Sequence, residues 1–438
     1  MQASVAQTGV APRDVPVVSS VDRWTRPAVV VVAICYLVYV FDIYEQNTFQ
    51  VALPSILTDF NVSRLDAGVL ILIVGWIGRI AGIVLVPLAD RYGRRAVLAW
   101  GVLGYSLLTG LTGLTSTWFL FGFATSLTRF PITAANFPSS IMATEASPPS
   151  GRALAQGVQA AGYCLGFVLV AIASVVLLPT LGWRYMYFLG IIPAILVYFI
   201  LRKIPESPRF TEVQQQRAAE GKRPNLLQIY WSTMRRYPRE VTTGSLVIGL
   251  YYLWNGFAVF VSLYLSTERG LGPATTGTWL AIWFFVAMFA TAGGGWLAQR
   301  YGRKRTNITL VLLTVPFYAT YGLLTEQWAL FVVGLLLASL FLAPFGQGIW
   351  GSVEELFPTE VRATGFAACN FLAGLLAVGY ALIPGIMPSV AASFPIFAAG
   401  YAMLAVVLFF MKDTLRKDLI QTVGQRAGDG RLLEPAEA

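Results

Sequence analysis

Four ionised side chains stand inside stretches that are otherwise apolar. Asp42 and Glu45 fall in the run that begins near Val29, Arg79 in the run from Leu65, and Arg129 in the run from Thr117. A charge at the centre of a bilayer costs about 2.5–3.5 kcal/mol even on insertion-based scales, so such residues are functional candidates by default. Asp42 and Glu45 are three residues apart and share one helix face. At a rise of about 1.5 Å per residue, Asp42, Arg79 and Arg129 all come out near mid-depth. Two arginines and two carboxylates sum to zero, the least costly state for a low-dielectric site. An arriving carboxylate makes that sum negative by one, and protonating Asp42 or Glu45 restores it, so the inventory suits one anion taken up with one proton. The bland alternative is a buried ion pair, Asp42 with Arg129 or Glu45 with Arg79, that only fixes helix packing.

Other chemistries are poorly served. The chain has no histidine, and its three cysteines, Cys35, Cys164 and Cys369, sit singly in apolar runs without C-x-x-C spacing. That excludes cysteine–histidine metal sites, histidine-based triads and a disulfide framework, and reads each cysteine as a small buried apolar residue. No nucleophile is paired with a base. Neither an enzyme nor a cofactor or metal is expected.

Positioning these charges takes many helices. The 438 residues are 56% hydrophobic and 12% charged, with a mean hydropathy of +0.65, far from the balance of soluble domains. Glycine and aromatics are abundant, as in helices packed in lipid. In units of about 20 residues per crossing, twelve spans start near Val29, Leu65, Ala96, Thr117, Leu154, Met186, Val241, Ala274, Thr306, Ala329, Arg362 and Phe394. The predicted class is an all-α membrane protein of twelve transmembrane helices, without a removed signal peptide. Of the 31 Lys and Arg residues, only Arg64, Arg184 and Arg269 fall in the odd-to-even loops, and Arg79 and Arg129 lie inside spans. The rest occupy the two tails and the even-to-odd loops. Both termini are therefore expected in the cytoplasm, and the net charge of +9 is a topology signal rather than a nucleic-acid surface. The expected organisation is a cytoplasmic tail (1–28), a six-helix bundle (29–202), a basic cytoplasmic linker lying against anionic headgroups (203–240), a second six-helix bundle (241–411) and a cytoplasmic tail (412–438).

The two bundles read as a repeat. VPLADRYGRR, from Val86 to Arg95, recurs as GWLAQRYGRK, from Gly295 to Lys304, 209 positions later. Glu145 precedes Arg152 by seven residues, and Glu355 precedes Arg362 by the same spacing at an offset of 210. Six spans per half with a duplicated loop after the second span resembles the major facilitator superfamily, whose signature there is G-x-x-x-D-R-x-G-R-R/K. PESPR, from Pro205 to Arg209, and ELFPTEVRATG, from Glu355 to Gly365, resemble its branch of sugar porters and aromatic-acid or metabolite proton symporters. Val86 stands where the family has glycine, and Gln299 replaces the acidic residue in the second copy.

The resemblance implies a cytoplasmic gate formed by Asp90, Arg91, Arg94, Glu145, Arg152, Glu206, Arg209, Gln299, Arg300, Arg303, Glu355 and Arg362, asymmetric because Gln299 is uncharged. It also places the first and fourth spans around a central cavity. Aromatic-acid symporters of the family carry D-G-F-D in the first span and an arginine in the fourth. Phe41 and Asp42 match the second half of that motif, Tyr39 and Val40 stand in the first half, and Arg129 matches the arginine. The expected substrate and proton site is Asp42, Glu45, Arg79, Arg129 and Asn136. Positions 210 later than Asp42, Arg79 and Arg129 are uncharged, so the second half is expected to add shape and amides through Tyr252, Trp254, Asn255, Gln347 and Asn370. The function implied is proton-coupled symport of a small organic anion, an aromatic or other carboxylate, by a monomer in the plasma (bacterial inner) membrane. The alternatives are a sugar or polyol porter, which two intramembrane arginines disfavour, a proton-coupled efflux antiporter, for which the fifth span lacks a G-P motif, and a solute sensor that does not transport.

Overall fold

The computed structural model describes residues 24–148, 152–204, 226–344, 348–357 and 361–411. The first two helices begin where the sequence supplies side-chain caps. Thr25 accepts a hydrogen bond from the Ala28 amide at 3.4 Å to open α1 (Arg26–Phe60), and Asn61 ends it in the left-handed region at φ 50°, which asparagine tolerates. Ser63 and Asp66 cap each other's backbone at the start of α2 (Arg64–Tyr92), a capping box. There follow α3 (Arg94–Thr112), α4 (Trp118–Ala146), α5 (Arg152–Thr180) and α6 (Trp183–Lys203). The second set is α7 (Pro238–Glu268), α8 (Pro273–Tyr301), α9 (Arg303–Leu323), α10 (Gln327–Leu342), α11 (Arg362–Ile386) and α12 (Ala391–Phe410). Short helices at Leu226–Arg236 and Ile349–Glu354 lie between these rods.

The sequence repeat has a backbone counterpart. Gly93 and Gly302 occupy the same place in the two copies of the RYGR motif, and both have positive φ, 95° and 96°. Only glycine enters that region without strain, which is what allows α2 to turn into α3, and α8 into α9, across a single residue. Packing repeats as well. In the first set α1 lies on α5, α2 on α4, and α3 on α4 and α6; in the second α7 lies on α11, α8 on α10, and α9 on α10 and α12. The seams between the sets, α2 on α11, α5 on α8 and α1 on α7, exchange with one another or with themselves under a six-helix shift.

Among the described residues nine of the rods are long and apolar enough to cross a membrane, and Gln327–Leu342 is a shorter apolar helix. Large apolar side chains face outward, with Trp100 73%, Phe119 78% and Phe410 80% exposed. In water such a surface aggregates; in lipid it is the solvated one.

The seams are closed at the end of the molecule that bears the α1–α2 and α11–α12 loops. Gly68 meets the backbone of Ala381 without room for a side chain, and Gly385 meets Leu65 in the same way. Arg64 reaches across from the first set, donating to the carbonyls of Met387 (3.4 Å) and Pro388 (3.1 Å), with Glu268 at 3.6 Å. Glu268 itself accepts from the amides of Val390 and Ala391. Arg184 bonds Asp59 at 2.7 Å and Arg269 bonds the Gly322 carbonyl at 2.6 Å, each within its own set. Arg64 is thus the one of these three loop arginines that fastens one set to the other. Its bonds are part-exposed, so Arg64→Ala is expected to shift the closed-to-open ratio of this end by roughly tenfold. The check is the alkylation rate of a single cysteine at Gln50, at the α1–α7 seam, in a background without native cysteines. An unchanged rate would deny Arg64 this role.

Candidate functional site

α1 and α4 bring together a buried polar cluster. Asp42 is 0% exposed and Glu45 3%. Asp42 accepts from the amide of Asn136 on α4 and from Gln46, one turn on along α1, at 3.0 Å. Glu45 accepts from Thr128 at 3.2 Å, and its other oxygen, Oε2, faces Arg129 at 3.8 Å. That oxygen and the Arg129 Nε make no hydrogen bond. Both candidate ion pairs of the sequence reading are therefore replaced by a third. Arg129 pairs with Glu45, and Asp42 is held by two neutral amides.

Arg79 is placed differently. It leaves α2 toward the second set, with its guanidinium 5.8 Å from the centroid of Trp76 and 5.4 Å from that of Tyr252. A side chain on Gly374 of α11 would stand 2.8 Å from its Nε. Among the described residues no carboxylate pairs with it, and its Nε is buried without a hydrogen bond. Tyr252 donates to Asn370 Oδ1 at 2.9 Å. Tyr380, also on α11, lies within electrostatic reach of both Arg79 and Arg129, and Tyr163 lies within reach of Tyr39, Tyr252 and Tyr380.

Tyr252 owes its position to an interruption. α7 tightens into a 3-10 turn over Tyr252–Trp254 before resuming at Asn255, and discontinuous helices at mid-depth are how such proteins expose backbone and side chains to a cavity. Asn255 is half-buried at this break. Trp254 is 4% exposed and stacks on Phe341 in the aromatic core of the second set, on the opposite side of the helix from Tyr252. Gln347 lies outside the described residues.

The expected gate is described in part. Arg303 pairs with Glu355 at 2.6 Å, joining α9 to the segment before α11. Arg300 instead lies over the rings of Trp296 and Tyr301 on the surface. Arg94 is half-buried at the first α3 turn. Asp90, Arg91, Glu145, Arg152, Gln299 and Arg362 lie on described helices, but their side chains fall outside the described residues, as do Glu206 and Arg209 altogether.

Sequence reasoning missed Gln46, Thr128, Trp76, Tyr163 and Tyr380. Gln46 was legible as the residue four after Asp42, and Thr128 adjoins Arg129. The tyrosines carried no signal, since an aromatic in an apolar run is most often core.

Residues 35–378 and 244–424 match the family model described as Major Facilitator Superfamily. The chain is 28% identical over 348 residues to the "Probable 4-methylmuconolactone transporter" of Cupriavidus pinatubonensis, covering 76% of this chain and 78% of that protein. It is 24% identical to the gallate transporter of Pseudomonas putida (86% and 91% covered) and 22% identical to the cis,cis-muconate transport protein of Acinetobacter baylyi (86% and 93% covered). The fold matches the crystal structure of a D-xylose-proton symporter with a TM-score of 0.71 at 18% identity, covering 89% of this chain and 98% of that one. With the family match spanning most of its length, the chain belongs to the Major Facilitator Superfamily, as a multi-pass membrane transporter and not an enzyme.

Proposed function

We propose that this protein carries a small organic anion, an aromatic or other carboxylate, across the plasma (bacterial inner) membrane together with a proton, by rocking two six-helix bundles about a midplane site. In this reading all twelve rods span the membrane, both termini are cytoplasmic, residues 203–240 form the cytoplasmic linker between bundles 29–202 and 241–411, and the monomer works on the proton gradient without a cofactor. The ion pair of Arg303 and Glu355 belongs to the cytoplasmic gate, and the Arg64 contacts close the opposite side.

The observation that carries the reading is Arg79, a half-buried cation at the seam of the two sets with no carboxylate bonded to it among the described residues. A cation placed there at such cost calls for an anion, and a mobile one satisfies it only while bound. Asp42 and Glu45 on α1 supply the proton sites, with Asn136 holding Asp42. The relatives that transport gallate and cis,cis-muconate, both carboxylates, support the same solute class.

Purified protein in liposomes with an external pH indicator tests this directly. Gallate, benzoate, cis,cis-muconate and neutral sugars are added in turn. A carboxylate is expected to be taken up with external alkalinisation. Sugar flux without a pH change, and no carboxylate flux, would overturn the proposal.

A further inference from the structure

We infer that Arg79, and not Arg129, receives the carboxylate, in a cradle built for a solute of one negative charge. This rests on the organic-anion reading above and goes beyond it, because that reading leaves the charge of the solute open: gallate carries one carboxylate and cis,cis-muconate two.

The two arginines are not equivalent. Arg129 already faces Glu45 at 3.8 Å, so a carboxylate approaching it meets an existing negative charge. Arg79 has no acidic partner among the described residues, and its Nε is a buried donor without an acceptor. Its other neighbours leave the fork open. Trp76 and Tyr252 flank the guanidinium, contacts that favour the cation while occupying none of its N–H groups. Gly374 offers no side chain, and a Cβ there would press on Nε at 2.8 Å and Cδ at 2.9 Å. The glycine therefore sets how far Arg79 can extend toward α11.

The second set completes the cradle. Asn370 stands one turn before Gly374 on α11, on the same face. Its carbonyl oxygen is engaged by the Tyr252 hydroxyl at 2.9 Å, which leaves the amide NH2 without a hydrogen bond among the described residues. A fork of N–H donors from the first set and an amide donor from the second suit the two oxygens of one carboxylate. The ring of the solute then lies among Tyr252, Tyr163 and Tyr380. A carboxylate held this way also ties the two sets together, since Arg79 comes from α2 and Asn370 from α11.

Among the described residues a second carboxylate finds no cation free of an acidic partner near Tyr380. Arg129 is the other arginine within reach of Tyr380, and using it would separate Glu45 from its partner. With one negative charge added, a single proton returns the four-residue sum to zero. With two, a net charge stays buried unless a second proton enters.

The test is binding to the purified full chain at pH 7, read by tryptophan fluorescence or calorimetry, with benzoate, its neutral near-isostere benzamide, and terephthalate with two charges, the last also compared with 4-carbamoylbenzoate, which has its shape and one charge. Benzoate is expected to bind at least about tenfold more tightly than benzamide, and 4-carbamoylbenzoate than terephthalate, a difference of about 1.4 kcal/mol. In Arg79→Gln the preference for benzoate over benzamide is expected to disappear, while Arg79→Lys retains it at lower affinity. Gly374→Ala is expected to weaken benzoate severalfold without touching any charge. The double variant Glu45→Gln/Arg129→Gln is expected to keep the preference for benzoate over benzamide. Terephthalate binding as tightly as 4-carbamoylbenzoate would overturn the single-charge cradle, and so would an Arg79→Gln variant that still prefers benzoate, both leaving organic-anion transport standing. Failure of benzoate, gallate and cis,cis-muconate alike to bind would overturn both.

Discussion

Asp42→Asn is expected to reduce pH-driven accumulation of the solute to background while leaving exchange of labelled for unlabelled solute largely intact. Asp42 is fully buried and its two bonds come from neutral amides, Asn136 and Gln46, while Arg129 acts on it only from a distance and is turned to Glu45. Each transport cycle that moves a proton needs a group that is charged in one half of the cycle and neutral in the other. Glu45 is less free to do this, because Arg129 stands against it. Asparagine keeps the size of the side chain and is neutral throughout, so the conformational change that exchange requires should proceed while the gradient loses its grip. Counterflow and proton-driven uptake in the same liposomes separate the two. Equal loss of both would place Asp42 in solute binding or packing, and loss of neither would move the proton to Glu45.

The sequence made the scaffold legible because its signals are local or repeated. The rods begin within about three residues of the starts read from apolar length, and the RYGR duplication marked a turn whose positive-φ glycine recurs at both copies. The pairing of charges was not legible. Asp42 and Glu45 share a face and both meet α4, but which of them takes Asn136 and which takes Arg129 depends on the rotation of α1 about its own axis, and the two positions differ by about 60°. Arg79 was legible as costly but not as crossing to the other set, since its direction depends on α2 lying against α11 and on the missing side chain at Gly374. Arg64 entered the sequence reading as a topology count, and its contacts with Met387, Pro388 and Glu268 join segments more than 200 residues apart.

Arg129→Met is expected to cost more stability than any other substitution considered, about 3–5 kcal/mol, read as loss of thermal stability in detergent. The cost comes from what remains. Glu45 is 3% exposed and keeps one neutral donor, Thr128, so removing the arginine leaves a carboxylate without a counter-charge. Adding Glu45→Gln should recover most of the loss, and the non-additivity of the double variant measures the pair itself. Arg79→Gln should be mild by comparison, because among the described residues it leaves no carboxylate behind. Stability and affinity are thereby expected to rank the two arginines in opposite orders. Arg129 dominates the melting temperature and Arg79 the binding of carboxylate. A protein in which the same arginine led both rankings would have no division between a structural pair and a vacant cation. Additive losses from Arg129→Met and Glu45→Gln would remove the pair as well.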